Sequence, residues 1–245
     1  MSHQAVPLTS ARGANWPHPP TDPFLAVVSH ELRSPLASIL NAVRFLSRQA
    51  DETPTRQKIQ ILLERQALRM TQLVDDLLDV SRITNGRVQL HRERIDLRVV
   101  VNNAIETVAP DISARHHRLA TESPDAPVWL YADPGRLEQV FVNLLGNAAK
   151  YTDTGGELSV WVHIRKDQAV IRVRDSGIGI AADALPHIFD LFKQADAGDP
   201  RSKSGLGVGL AVVRDLVELH GGSVMAASAG AGRGSEFTVR LPRED

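Results

Sequence analysis

His30 is the first residue whose position in the sequence indicates a chemically active side chain. Apolar residues recur at steps of three and four over residues 23–49, which predicts a helix with a narrow apolar stripe. At about 100° per residue, His30 points roughly 170° away from the centre of that stripe, towards water or a partner. An exposed imidazole is largely neutral at pH 7 and can act as a nucleophile. The adjacent Glu31 could orient the ring or take its proton, although a lone histidine is more often a structural or surface residue.

A second group of polar side chains falls on one helix predicted over residues 136–150. Asn143 and Asn147 are four residues apart, so their amides project from one side, and Lys150 follows within one turn. Asparagine is a poor helix former, so two in mid-helix indicate a polar cluster that faces a ligand, with a solvated face as the alternative. An amide oxygen suits Mg²⁺, and a lysine supplies charge for phosphate.

Two glycine-containing segments could complete a nucleotide pocket. A strand predicted over residues 169–173 runs into Asp175, whose carboxylate could accept a hydrogen bond from the exocyclic amine of a base. The following Gly177 and Gly179 would let the backbone approach the ligand. A helix predicted over residues 208–220 begins in a cluster that contains Gly205, Leu206, Gly207 and Gly209. N–H groups at such a helix start bind phosphate oxygens, although either segment could be a simple turn.

The polar stretch between the two glycine segments has the composition of a lid over a nucleotide. Residues 181–204 contain two phenylalanines and then a run of small and charged residues. Arg201 and Lys203 in that run could reach phosphates.

Composition and charge exclude several other classes of protein. The 28 Lys and Arg residues against 29 Asp and Glu give a net charge of −1, which argues against a general nucleic-acid or anionic-membrane binder. The absence of cysteine excludes disulfides and Cys-ligated metals and fits a reducing compartment, so we expect a cytoplasmic location. No apolar run is long enough for a membrane span, and no P-loop sequence occurs.

The apolar pattern predicts two domains of different kinds within the 245 residues. A second stripe over residues 59–80 follows a break at residues 51–54, which predicts an antiparallel helical hairpin. One hairpin cannot cover both sides of such stripes, so a symmetric dimer with a four-helix bundle is expected. Pro35 lies inside the first helix, where it removes a backbone donor and could kink the turn that carries His30. Thirteen of the 17 glycines lie between Gly155 and Gly234, which indicates a loop-rich second domain.

Together these motifs resemble those of the bacterial sensor histidine kinases. Residues 30–36, HELRSPL, resemble the phospho-acceptor motif, on the first helix of a dimerising hairpin as in that family. Residues 143–151, 175–179, 188–192 and 205–210 resemble the asparagine-rich box, the first glycine box, the phenylalanine box and the second glycine box of its ATP-binding domain. The match covers residues 23–242 in the family's order.

The resemblance implies a role for each motif residue. His30 would accept phosphate from ATP with the help of Glu31, Asn147 would bind Mg²⁺, Asp175 would contact adenine, Lys150 would lie near the phosphates, and Asn143 and Tyr151 would help to line the pocket. Ser34 stands where many family members carry a Thr or Asn that supports phosphatase activity, so phosphatase activity is not implied.

The implied fold is α+β, with a dimeric four-helix bundle followed by an α/β sandwich of the Bergerat (GHKL) type, in which helices cover one face of a mixed sheet. We assign a flexible arm to residues 1–22, the hairpin to 23–82, a hinge to 83–94 and the ATP-binding domain to 95–243. The phosphohistidine would pass its phosphoryl group to an aspartate of a separate response regulator, because no receiver-like domain fits within the chain.

Two other functions share part of this pattern. A GHKL-type ATPase would use the same nucleotide site for conformational work and would need no exposed histidine. A dimeric scaffold, or pseudokinase, would bind ATP or a partner without catalysis. The histidine motif argues against the ATPase, and the intact boxes argue against the scaffold.

Overall fold

A computed structural model describes residues 21–48, 53–84, 89–193 and 206–244. Most of the predicted arm lies outside these ranges, as do residues 85–88 of the predicted hinge and residues 194–205 of the predicted lid. Lys203 and Gly205 therefore fall outside the described residues. The side chains of His30 and Glu31 fall outside them too, although both residues are helical.

The chain forms two long helices and then a mixed group of strands and helices. The helices are α1 (Thr21–Arg48), α2 (Thr53–Thr84), α3 (Leu97–Ala114), α4 (Pro134–Tyr151) and α5 (Gly209–Leu219). The strands are β1 (Glu93–Asp96), β2 (Arg118–Glu122), β3 (Trp129–Ala132), β4 (Glu157–Arg165), β5 (Gln168–Asp175), β6 (Ser223–Ala227) and β7 (Ser235–Pro242), and a 3₁₀ turn spans Leu185–His187. None of the described helices is long and apolar enough to cross a bilayer.

α1 and α2 pack against each other, and the short connection at residues 49–52 makes them antiparallel. α1 continues through Pro35. Two residues of the apolar stripe predicted for α1, Leu36 and Val43, are 46–47% exposed in the structure, and Leu40 beside them is 48% exposed. The buried positions of α1, Pro35 and Ala42, lie next to that stripe. The hairpin therefore uses one apolar seam internally and presents a second one at its surface.

The same division is seen along α2. Leu73 is buried, whereas Ile61, Val74 and Leu78 remain 45–64% exposed. Leu73 packs into the core of the following domain, against which Leu32 and Leu77 also lie. α2 meets α5 there, so the hairpin is in contact with the domain that begins at β1, which we call the nucleotide domain after its predicted function.

The second part of the chain is built on a five-stranded mixed sheet with the order β2-β4-β5-β7-β6. β2 is parallel to β4, and the other neighbours are antiparallel. A separate antiparallel pair joins β1 to β3.

Three helices cover one face of this sheet. α4 packs on β5, α5 packs on β6 and β7, and α3 packs on α4. Alternate side chains of the central strands point into the core, as expected for a sheet covered on one side. They are Leu158, Val160 and Val162 in β4, Ala169, Ile171 and Val173 in β5, and Phe237, Val239 and Leu241 in β7. This confirms the predicted α/β sandwich.

Aspartates set the starts of the helices that position the site. The Asp96 carboxylate accepts from the N–H of Arg98 at 3.1 Å, and the Asp133 carboxylate accepts from the N–H of Arg136 at 3.0 Å. Pro134, at the first turn of α4, fits there because its missing N–H has no intrahelical role. α4 accordingly begins two residues before the predicted start at Arg136.

Candidate functional site

α4 carries four of the predicted site residues towards its C-terminal end. Asn143 and Asn147 are half-buried and lie one turn apart on one side of the helix. Lys150 and Tyr151 end the helix, where the Lys150 ammonium donates to the Tyr151 hydroxyl at 3.0 Å and lies 4.6 Å from the centre of its ring. This part of α4 therefore offers amides, an ammonium and a phenol to one site.

The first turn of α5 lies against Asn143. A side chain at Gly209 would place its Cβ 3.7 Å from the Asn143 carboxamide carbon. Gly207 adopts φ +67°, which lets the chain turn into the helix while the neighbouring Leu206 is buried. Within the described residues no side chain caps α5, so its first N–H groups can bind an anion. The structure thus brings the second glycine box to the asparagine-rich box.

Asp175, the last residue of β5, has a buried carboxylate that accepts three hydrogen bonds from nearby residues. Its Oδ1 accepts from the N–H of Gly177 at 2.8 Å and from the N–H of Ser235 at 3.3 Å. Its Oδ2 accepts from the Ser235 hydroxyl. A carboxylate has about four acceptor positions, and donors from the described residues occupy three of them, so Asp175 could accept one more hydrogen bond, such as that of an exocyclic amine.

The loop after Asp175 is seated on the end of α4. The N–H of Ile178 donates to the Tyr151 carbonyl at 3.1 Å, and a Cβ at Gly177 would overlap that carbonyl. The structure therefore joins the first glycine box to the asparagine-rich box through Tyr151. Asp175 is therefore positioned relative to α4 by the loop that follows it, through the hydrogen bond from Ile178 to Tyr151.

A second glycine turn supports the same loop. Gly179 adopts φ +69°, and a Cβ there would overlap the Gly230 carbonyl. The N–H of Gly234 donates to the Gly177 carbonyl at 3.1 Å. Sequence reasoning missed Gly234 and Ser235. The available signal was weak, because Ser235 becomes a partner of Asp175 only through the register of β5 with β7.

The phenylalanine box closes onto the second glycine box. The N–H of Phe192 donates to the Gly207 carbonyl at 2.9 Å, and Phe192 itself has φ +63°. Phe189 packs edge-on against Phe237 of β7, with ring centres 6.4 Å apart. Residue 193, which lies inside the predicted lid of residues 181–204, is thereby held close to Gly207 at the start of α5.

A polar cluster joins the opposite ends of α4 and α5 to the segment before β1. The N–H of Asp133 donates to His220 Nε2 at 3.0 Å, and His220 Nδ1 donates to the Leu216 carbonyl at 2.7 Å. The N–H of His91 donates to the Asp133 carboxylate at 2.9 Å, and the Arg92 guanidinium donates to the carbonyl of residue 219 at 2.5 Å. We name these contacts the linker junction.

Burial and hydrogen bonding set the charges in the linker junction. Burial lowers the pKa of His220, and the Leu216 carbonyl offsets this in part, so the ring is neutral with its proton on Nδ1. Burial alone would raise the pKa of Asp133, but the N–H donors of Arg136 and His91 outweigh it, and the pKa is lowered. The result is an ionised N-cap beside a neutral imidazole.

Two amide side chains of α4 have the chemistry to contact a nucleotide and a metal ion. Asn143 Nδ2 is buried and finds no hydrogen-bond partner within the described ranges, so it is ready to donate to a ligand. Gly209 beside it leaves the space that a side chain would fill. The Asn147 carboxamide supplies an oxygen of the kind that Mg²⁺ prefers.

In α1, Ser34 is exposed and its carbonyl accepts from the Ser38 hydroxyl at 3.1 Å.

Two family models match the chain in succession. The His Kinase A (phospho-acceptor) domain matches residues 22–86. The histidine kinase-, DNA gyrase B- and HSP90-like ATPase matches residues 132–245.

Individual relatives agree with these models. Sensor histidine kinase RcsC of Escherichia coli (strain K12) is 36% identical over 223 residues, which cover 89% of this chain and 23% of RcsC. Sensor histidine kinase TrcS of Mycobacterium tuberculosis (strain ATCC 25618 / H37Rv) is 39% identical over 226 residues, covering 89% of this chain and 43% of TrcS. The chain therefore spans less than half the length of either relative. The crystal structure of full-length ShkA in complex with AMPPNP has a TM-score of 0.65 and 29% identity, covering 89% of this chain and 45% of that one. A phospho-acceptor hairpin followed by a histidine kinase-type ATPase domain identifies the chain as a core belonging to the two-component sensor histidine kinases.

Proposed function

We propose that this chain binds ATP with Mg²⁺ and transfers the γ-phosphoryl group to His30. The observation that carries the proposal is the convergence of three motifs on α4, the asparagine-rich helix. The N-terminus of α5 meets Asn143, and the loop after Asp175 meets Tyr151. A hairpin with the phospho-acceptor motif is packed against the same domain.

Each part of the nucleotide has a partner in this arrangement. The free acceptor position of Asp175 suits the adenine amine, and Asn143 and Tyr151 line the pocket between base and phosphates. The N–H groups of α5, with Gly207 and Gly209, take phosphate oxygens. Lys150 supplies positive charge. The sequence adds Lys203 and Gly205 to the phosphate side.

The metal belongs beside the phosphates. Asn147 would hold Mg²⁺ through its carboxamide oxygen, and the ion when bound neutralises charge on the triphosphate. The protein's own contribution is to orient the γ-phosphoryl group for attack and to keep the helix N–H groups aimed at it.

In the transfer step, the His30 imidazole attacks the γ-phosphorus in line. A nitrogen–phosphorus bond forms as the bond to the β,γ-bridging oxygen breaks, and ADP leaves with the bonding electrons. Glu31 orients the ring and takes its proton. The nucleotide domain must approach α1 for this step, so we place the hinge at residues 83–94. Because the linker junction fixes residues 91 and 92 to the nucleotide domain, the bending belongs to the earlier part of that segment.

The phosphoimidazole is labile and suited to onward transfer, and we propose an aspartate of a separate response regulator as the acceptor. The exposed apolar seam formed by Leu36, Leu40 and Val43 supports a homodimer with a four-helix bundle. We place the reaction in the cytoplasm, where ATP is available.

Incubation with γ-labelled ATP and Mg²⁺ tests the proposal. We expect an acid-labile, base-stable label on the protein that is absent from His30→Gln and absent when α-labelled ATP is used. Release of free phosphate without protein label would show a GHKL-type ATPase, and neither product would show a scaffold. The phospho-acceptor match on residues 22–86 favours the kinase over both.

A further inference from the structure

The last turn of α4 is held from outside by the segment that joins α3 to β2. The Arg115 guanidinium donates through Nη1 to the Lys150 carbonyl at 3.0 Å. His117 Nε2 lies 3.0 Å from the Ala149 carbonyl and must carry the proton, because a carbonyl oxygen only accepts. Two side chains from one loop thus bind two successive carbonyls of the helix that carries the site.

The backbone ties the same two segments together. The N–H of Gly155 donates to the Arg115 carbonyl at 2.9 Å, and the N–H of Arg118 donates to the Gly156 carbonyl at 2.9 Å. The chain that leaves α4 therefore returns directly onto the end of α3. Arg115 takes part in this contact through both its backbone and its side chain.

With these bonds, all four carbonyls at the end of α4 have partners. A helix normally leaves its last four carbonyls without intrahelical donors. Here the Ala148 carbonyl accepts from the N–H of residue 152 at 3.2 Å, and the Tyr151 carbonyl accepts from the N–H of residue 178 at 3.1 Å. His117 and Arg115 serve the two carbonyls between them. The loop after Asp175 is thereby docked on a turn that the α3–β2 segment fixes.

The environment of His117 indicates that holding α4 is its main polar role. The residue is 8% exposed, and its Nδ1 has no partner within the described part of the chain. The one hydrogen bond that this buried imidazole makes within the described residues is to the Ala149 carbonyl of α4. Burying a polar ring is costly without such a bond, so the bond to α4 explains why a histidine stands here.

We propose that Arg115 and His117 are positioning residues for nucleotide binding. They fix the height and rotation of the last turn of α4, and so the placement of Asn147, Lys150 and Tyr151 against the ligand. They contact no part of the nucleotide themselves. This inference rests on the proposed ATP site, and it adds residues that lie behind α4.

Substitutions that remove the donors while keeping side-chain volume test this inference. His117→Leu and Arg115→Met should each raise the KM for ATP and the Kd for AMPPNP roughly tenfold, the effect of losing about one hydrogen bond. The kcat at saturating ATP should be unchanged. His117→Gln keeps an N–H donor at similar reach and should restore both constants towards wild type.

A matched control separates positioning from general stability. Arg118→Met changes the first residue of β2, next to that segment, whose exposed guanidinium pairs with exposed Glu157, so its KM should equal that of wild type. A protein that is merely less stable has a smaller active fraction, which lowers the apparent kcat and leaves KM unchanged. Should His117→Leu fail to fold, Arg115→Met carries the test, because Arg115 is half-buried.

The two proposals fail in different ways. Wild-type protein that binds no AMPPNP would overturn the ATP site and this inference with it. Wild-type protein that binds AMPPNP, with unchanged KM and Kd in the variants or a fall in kcat alone, would overturn the positioning role and leave the ATP site standing.

Discussion

The hairpin and the nucleotide domain treat their apolar residues differently. In the nucleotide domain, α3, α4 and α5 close over the sheet, and residues such as Phe141 and Leu144 are almost completely buried. In the hairpin, one apolar seam is used between α1 and α2 and the other, with Leu36 and Leu40, is left exposed. The core of the nucleotide domain is thus closed within one chain, whereas the hairpin leaves exposed a seam that the proposed homodimer would cover. In the proposed kinase, ATP binding would use the closed unit, and phosphoryl acceptance would use the unit that associates.

A cavity in the core of the nucleotide domain should have the largest of the expected effects, a loss of folding stability. Phe141→Ala removes a ring from the centre of the core and should lower the free energy of unfolding by about 3–5 kcal/mol. Val99→Ala, at a position 55% exposed on α3, should change it by less than about 0.5 kcal/mol. Urea unfolding of both variants measures the difference. Similar small values for the two would mean that this domain lacks the closed core described above.

Loss of the Asp175 charge should disable nucleotide binding while leaving the hairpin unaffected. Asp175→Asn replaces an acceptor for the Ser235 hydroxyl and for a base amine by an amide, and AMPPNP affinity should fall roughly a hundredfold. Calorimetric titration measures the affinity, and light scattering follows the dimer, which should persist. Asp167→Asn, in the exposed turn between β4 and β5, should bind normally. Full affinity in Asp175→Asn would show that this carboxylate does not contact the ligand.

A charge on the exposed seam of α1 should break the hairpin's association. Leu40→Glu places a carboxylate in the seam and should weaken the dimer by at least about tenfold, because burial of an unpaired charge is costly. Ile164→Glu makes the same change at an apolar residue 39% exposed on β4 and should leave the dimer intact. Sedimentation equilibrium distinguishes the two. If Ile164→Glu lost the dimer and Leu40→Glu kept it, the chain would associate through the nucleotide domain and not through the hairpin.

The smallest expected effect concerns pH at the linker junction, where the two regions are joined. Because burial lowers the pKa of His220 below its ordinary value of about 6.5, the unfolded chain binds more protons than the folded chain beneath that pH. The stability that the neutral ring contributes is therefore fully present above pH 6.5 and is lost as the pH falls towards the lowered value. Urea midpoints at pH 7.5 and 5.5 measure this slope, which His220→Gln should flatten. If the urea midpoint of His220→Gln changed with pH as much as that of wild type, His220 would not be the source of the pH dependence.

Much of the fold could be predicted from the sequence, because its strongest signals are local. The periodicity of α1 and the polar positions of α4 are set by neighbours three and four residues apart. The start of α4 was predicted two residues late, at Arg136, although Asp133 followed by Pro134 is a helix start signal that the sequence contains. β4 alternates between buried and partly exposed residues, a pattern that the sequence contains although no strand was predicted there. The short edge strand β2 is largely exposed, so its sequence shows little pattern.

The rest depends on contacts between distant segments. Ser235 meets Asp175 through strand register, and His117 meets α4 through the packing of two helix ends. Which apolar residues of α1 are covered depends on where α2 lies. No local pattern contains this information, which explains why the motif residues could be predicted and the residues that support them could not. The outward orientation of His30 stays a prediction.

The central claim is that His30 receives the γ-phosphoryl group of ATP, and mapping of the modified peptide tests it most directly. After incubation of the protein with ATP and Mg²⁺, digestion at neutral pH and mass spectrometry should find one added phosphoryl group on the peptide that contains residues 23–44, with fragment ions that place it on His30. Asp175→Asn should give the same peptide unmodified. A phosphoryl group on another residue in the wild-type protein, or an unmodified peptide while AMPPNP binds normally, would contradict the account.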